Sequence, residues 1–296
     1  IAFKKNTNMD DAATATVVDV IWQTSHSGRL TAKVEIEPLP IGGVTITYAT
    51  VHNAKWMMGR GIGPGAKIRI VRSGDVIPKV IGVVKEAKKL KFPDVKYVID
   101  GVNFVATEKS RESETKIINK FLTQCGVERI ALKTVQKLYD SEAEFNNLFD
   151  YAKFSSYAKP KQLRIINQLL GKRQSEIFIE ELSKLQEIKL FDAMIGSCVL
   201  GAGIGERRLN EVAKHISQQD LLKMPSDSLQ SRLLEIKGIG ENVAFEIALG
   251  VKSYLKVHAR LSKHVEIVVD SFTTKKAKSK KGSYSGMVGT WTGYRN

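Results

Sequence analysis

Two short stretches of this chain have the residue types and spacing to hold a phosphate. Ile236-Lys237-Gly238-Ile239-Gly240-Glu241 and Ala202-Gly203-Ile204-Gly205-Glu206 share the core Gly-Ile-Gly-Glu, each ahead of a helical pattern. The first glycine permits a tight turn that a Cβ would obstruct. The second leaves a phosphate free to approach the start of the following helix, whose unpaired N–H groups and positive dipole end favour an anion. Such a contact touches no base, so it is independent of nucleotide sequence. Two degenerate copies, Leu169-Leu170-Gly171-Lys172-Arg173 and Val127-Glu128-Arg129-Ile130-Ala131, replace the second glycine by Arg173 and Ala131. Those two are expected to pack more than bind, with Arg173 able to contact a phosphate itself. One such turn is ordinary helix termination. Four in series, on a basic chain, point to a sugar-phosphate backbone.

The charge balance agrees. The 296 residues carry 46 Lys+Arg against 31 Asp+Glu, a net charge of +15. This surplus favours an extended polyanion as partner, nucleic acid ahead of a membrane surface. No apolar run is long enough to cross a bilayer and no signal peptide is visible, so a cytoplasmic location is expected (bacterial nucleoid, or host cytoplasm for a virus). Cys125 and Cys198 make neither a zinc set nor a disulfide framework, and His52, His215, His258 and His264 have no metal spacing. No metal ligands are assigned. The chain begins at Ile1, not methionine, which suggests a fragment, a processed chain or a split gene product.

Two kinds of element must position these groups. From Ser110 onward, apolar residues recur at i, i+3, i+4 over 116–122, 132–139, 161–170, 177–185, 209–216 and 243–255, predicting short helices joined by the turns above, the form called helix-hairpin-helix. Ahead of them, 22–78 alternates with period 2 through Val34, Ile36, Leu39, Val44, Ile46, Ile68 and Ile70, with Ser27-Gly28 and Gly42-Gly43 as turn signals. About five strands fit there, the size of a small closed Greek-key barrel such as an OB-fold. The fold class expected is therefore multidomain β + α: an OB-fold barrel, then an all-α tandem helix-hairpin-helix domain. Two polar runs, Ala49-Thr50-Val51-His52-Asn53 and Arg72-Ser73-Gly74-Asp75-Val76-Ile77-Pro78, sit where strands should end, which is where such a barrel binds its ligand.

In order and spacing, Gly28-x-Leu30-Thr31-Ala32, Glu37-Pro38, Gly43-Val44 and those two runs resemble the OB domain of NAD-dependent DNA ligases, and hairpins in tandem after the barrel repeat that family's order. The resemblance covers nearly the whole chain. It implies the DNA-clamping C-terminal portion of an enzyme that uses NAD and Mg2+ to adenylate its lysine and then seals 5′-phosphate/3′-hydroxyl nicks in replication and repair. It also implies DNA contacts at His26, Ser27, Gly28, Val76, Ile77, Gly171, Arg173, Gly203, Gly205, Gly238 and Gly240. Arg72 matches a family arginine near the nick, and Lys4, in Ile1-Ala2-Phe3-Lys4, matches a strand lysine that contacts nucleotide phosphate. Two departures stand out. His26-Ser27-Gly28 replaces the usual Arg-Thr-Gly, so a permanent charge is lost there. The four-cysteine zinc module has no counterpart, and a hairpin around Asp100-Gly101 is expected in its place, with no zinc.

No Lys-x-Asp-Gly occurs, so the lysine that would carry AMP is missing from these residues. The partners expected are nicked duplex DNA and a separate chain carrying the adenylation domain. The expected division is 1–8, end of the nucleotidyltransferase domain; 9–88, barrel; 89–109, metal-free hairpin; 110–262, helix-hairpin-helix domain; 263–285, flexible basic linker; 286–296, the start of a BRCT-like domain. The rival reading is a non-enzymatic barrel-plus-hairpin DNA-binding module serving repair or replication.

Overall fold

A computed structural model describes residues 12–41, 43–73, 77–201 and 203–270. Lys4, Val76, the Lys275–Lys281 run and the Gly286–Tyr294 stretch lie outside them.

Five strands close a barrel: β1 (Ala13–Thr24), β2 (Arg29–Ile41), β3 (Val44–Thr50), β4 (Lys67–Ser73) and β5 (Ile77–Lys85), with α1 (Ala54–Gly59) between β3 and β4. Around the barrel the order is β1-β4-β5-β3-β2, and β1 pairs again with β2. Each pair is antiparallel except β3 with β5, which meet in parallel at Thr50 and Lys79. Alternation works because the period-2 face of each strand points inward: Val17, Val20, Val34, Ile36, Ile46, Ile68, Ile70 and Val80 form the core. Val44 is exposed, since it opens β3 directly after the Gly43 turn and before the inward face begins. α1 was not legible as a helix. Asn53 caps it, its side chain accepting from Trp56 N–H at 2.8 Å, and Met57 plugs the barrel core.

A second hairpin, β6 (Tyr97–Asp100) and β7 (Asn103–Ala106), extends the sheet by pairing Arg29 and Leu30 of β2 with Val105 and Phe104. Its two-residue turn is Gly101-Val102, one residue later than Asp100-Gly101, because Asp100 already pairs with Asn103. Gly101 takes φ +57°, the conformation wanted at the first position of a type II′ turn. Aromatic packing seats this hairpin: Phe104 is buried and stacks between Trp22 (5.5 Å) and Tyr97 (4.4 Å).

The remaining described residues are largely helical: α2 (Arg111–Gln124), α3 (Leu132–Tyr139), α4 (Leu148–Ser156), α5 (Pro160–Leu170), α6 (Lys172–Ser183), then β8 (Glu187–Lys189), α7 (Leu190–Gly196), α8 (Glu206–Ala213), α9 (Gln218–Lys223), α10 (Ser226–Leu234), α11 (Glu241–Leu261) and β9 (Glu266–Val268). One continuous core joins them, with Phe145 and Phe178 touching each other and both Tyr151 and Phe154 at its centre. The linker expected from 263 begins too early. Glu266–Val268 pairs in parallel with Glu187–Lys189, and Val265 is buried in the helical core. Three residues, Glu-Ile-Val, are too few to establish a strand period in the sequence.

Barrel and helices meet at Thr24. Its N–H donates to Glu112 Oε2 at 3.0 Å, and its carbonyl accepts from Lys116 Nζ at 2.6 Å, while Lys116 also pairs with Glu112. A capping box at Ser110 and Ser113 fixes the start of α2, so these two side chains present a fixed register to the barrel.

Candidate nucleic-acid interface

The two clean turns have the geometry their sequence implies. Gly203 (φ +81°) and Gly238 (φ +90°) occupy the left-handed region, where an L side chain is strained. Ile204, Ile236 and Ile239 are buried, so each turn is pinned from inside and turns its glycines outward. Gly205 and Gly240 are the caps of α8 and α11, and neither cap supplies a side-chain oxygen to the first-turn N–H groups. A Cβ at Gly205 or Gly240 would meet nothing within 4 Å. The fold itself does not require glycine there. What these positions keep clear is the approach to a helix N-terminus. Arg208 Nη1 donates to the Gly203 carbonyl at 3.0 Å and braces the third turn.

The degenerate copies differ from these and from each other. Between α5 and α6 stands Gly171 alone (φ +79°), with Lys172 already the first helical residue, so 169–173 is not a five-residue turn of this kind. Gly171 breaks the helix, and Arg173 sits exposed in the first turn of α6. In the Val127–Ala131 turn the anion is supplied internally. Glu181, 1% exposed, accepts from the backbone N–H groups of Glu128 (2.8 Å) and Arg129 (3.3 Å), from Arg129 Nε (2.7 Å) and from Lys184 Nζ (2.9 Å). Burial pushes this carboxyl upward, but the hydrogen bonds from Lys184, Arg129 and the two backbone N–H groups outweigh it and hold the pKa at about 2. Nothing in the Val127–Ala131 sequence could reveal a partner fifty residues away.

The β1–β2 turn, Ser25 to Gly28, faces the helical domain. Gly28 (φ +79°) makes the turn, and its carbonyl accepts from Ala106 N–H at 2.8 Å, so this glycine also docks the second hairpin. His26 and Ser27 are exposed beside it. Partial burial of the imidazole, with Lys120 and Lys116 nearby, lowers the His26 pKa, so the ring is neutral near pH 7. A cleft of about 630 Å³ lies between this turn and the Gly203–Gly205 turn; His26, Ser27, Gly203 and Gly205 all line it, with Arg29 and Lys120. Residues separated by some 180 positions in the sequence thus open on one space. Arg29 and Lys120 had not been singled out from the sequence, since one lies in a strand and the other in an amphipathic helix pattern.

The two polar barrel runs also come together. Thr50 pairs with Lys79 and donates from Oγ1 to the Pro78 carbonyl at 3.1 Å, while Arg72 pairs with Pro78 on the other side. The backbones of Arg72 and Ile77 are thus on neighbouring strands, their side chains being outside the described part of the structure. Among the described residues, no group of three or more His, Cys, Asp or Glu side chains could hold a metal ion. Both cysteine thiols are raised by burial, Cys198 to about 11 despite the opposing charge of Lys120, so neither is a ready thiolate ligand.

A closed barrel with this strand order thus precedes a helical domain with two glycine turns. The description "NAD-dependent DNA ligase OB-fold domain" matches residues 14–91. The barrel is similar to that domain. Beyond it, similarity to DNA ligases extends over most of the chain. It is 28% identical over 312 residues to a DNA ligase of Acanthamoeba polyphaga mimivirus, covering 100% of this chain and 45% of the relative. It is 27% identical over 274 residues to a DNA ligase of Psychromonas ingrahamii (88% and 39%) and 30% identical over 266 residues to one of Desulfotalea psychrophila (85% and 36%). These ligase matches support a C-terminal part of an NAD-dependent DNA ligase. The chain spans less than half the length of these relatives. Among the described residues, no helix is long and apolar enough to cross a membrane.

Proposed function

We propose that this chain is the DNA-clamping portion of an NAD-dependent DNA ligase that seals nicks bearing a 5′-phosphate and a 3′-hydroxyl. The observation that carries the reading is the cleft, in which a turn of the ligase-type barrel and a helix-hairpin-helix turn face the same space. In this reading the barrel grips the duplex around the nick, with Arg72 reaching toward it. The turns at Gly203–Gly205 and Gly238–Gly240 hold the backbone farther round. Lys4 contacts nucleotide phosphate, completing a site held elsewhere in the enzyme.

NAD and Mg2+ are implied for the whole enzyme, yet the residues here do not fit them. The sequence has no Lys-x-Asp-Gly, and the described side chains offer no acidic cluster. No step of nucleotidyl transfer is therefore derived from this chain. Its part is to orient the nick ends, which lowers the entropic cost of joining them. The matched relatives give no support to a separately encoded adenylation chain, so the clamp is equally at home within one longer polypeptide.

Binding to fluorescent duplexes, nicked and intact, tests this reading. If the clamp neutralises roughly 6–10 phosphates, affinity falls about 10³–10⁵-fold between ~50 and ~200 mM salt and changes little with base sequence. A shallow salt slope, or a preference of more than about tenfold for one sequence, would point to a different class of binder.

A further inference from the structure

Lys120 lines the cleft from the helical domain and Arg29 from the barrel. Lys120 lies one helical turn beyond Lys116 on α2 and is half-buried. Lys116 is satisfied by Glu112 and the Thr24 carbonyl, whereas neither Lys120 nor Arg29 is in an ion pair among the described residues. Leaving a partly desolvated ammonium without a counter-charge is unfavourable. It lines the cleft with His26 and Cys198: burial lowers the His26 pKa and the Lys120 charge lowers it further, while at Cys198 that charge opposes the rise that burial causes. Arg29 approaches from the barrel side, held by its carbonyl accepting from Ser25 N–H at 2.8 Å. No carboxylate lines the cleft, although Glu246 lies against Gly201 at its edge. The third wall is the turn at Gly203–Gly205, whose helix start is open.

We propose that Arg29, Lys120 and the Gly203–Gly205 turn form a single seat for one backbone phosphodiester, shared by the barrel and the helical domain. The inference rests on the clamp reading and deepens it. Arg29 supplies a permanent charge three residues from neutral His26, and because the seat has walls from both domains, one phosphate fastens the barrel to the helical part of the clamp.

The test is the salt dependence of duplex binding by the full chain carrying Arg29→Ala, Lys120→Ala or both, with Arg29→Lys as the charge-keeping variant and circular dichroism to verify folding. One shared phosphate predicts that the double variant loses about 0.9 from the slope of log affinity against log salt, the contribution of a single contact. Arg29→Lys keeps the wild-type slope. A loss of about 1.8 in the double variant means two separate phosphates and overturns the shared seat, as does a slope unchanged in all variants while wild type binds duplex normally. If wild type itself fails to bind duplex, the clamp reading falls and this inference with it; Gly240→Val, outside the cleft, reports on the clamp independently.

Discussion

Glu181 shows how one side chain can decide whether a turn binds or merely packs. With its carboxylate on the Glu128 and Arg129 N–H groups, the first turn has its anion built in. Glu181→Ala should cost about 2 kcal/mol, below the 3–5 kcal/mol typical of breaking a fully buried pair, because Arg129 and Lys184 are 47% and 43% exposed and can rehydrate. Chemical denaturation measures it. The sign of the pH effect follows from a depressed pKa: the contribution is fully present above the unfolded value of about 4.3 and is lost as pH falls through about 2. Wild type should therefore lose stability over that window more steeply than Glu181→Gln, and parallel curves would contradict the assignment. Tyr151 is the opposite case. Its hydroxyl is fully buried with no hydrogen-bond partner among the described residues, so Tyr151→Phe should raise stability by about 1 kcal/mol. A lower melting temperature for that variant would reveal a partner for the hydroxyl.

At the scale of elements, the glycines divide by what they do. Gly203 and Gly238 need φ > 0, whereas Gly205 (φ −128°) and Gly240 (φ −89°) have backbones that any residue adopts. Gly205→Val with Gly240→Val should therefore fold with a penalty of about 1 kcal/mol per cap, yet bind duplex markedly less tightly because the side chains obstruct phosphate approach. Unchanged affinity in the folded double variant would make these turns structural only. This distinction marks how far the sequence could be read. Local signals were legible: period-2 faces such as Ile68 and Ile70, the Gly-Ile-Gly-Glu turns, and the helices around Val135 and Ile247, each of which packs as its own spacing demands. Short elements were not. α1, α7, α9 and β9 have three to seven residues, too few to establish a period, and exist through caps such as Asn53 or through distant pairing such as Ile188 with Ile267. The cleft was invisible for the same reason, since His26 and Gly205 open on one space through a long-range joint, Thr24 bonded to Glu112 and Lys116.

For the whole molecule, charge and architecture lead to one division of labour. A net charge of +15 and outward-facing glycine turns suit a clamp on a polyanion, while the lysine that accepts AMP has no counterpart in the sequence. Incubated alone with NAD and Mg2+, the chain should form no lysyl-AMP. The most direct test joins it in frame behind an adenylation domain containing Lys-x-Asp-Gly and measures sealing of a nicked duplex. The account predicts that sealing rises well above that of the adenylation domain alone, and that Arg72→Ala lowers it while leaving enzyme adenylation unchanged. Full adenylation with no gain in sealing from the attached chain would contradict it.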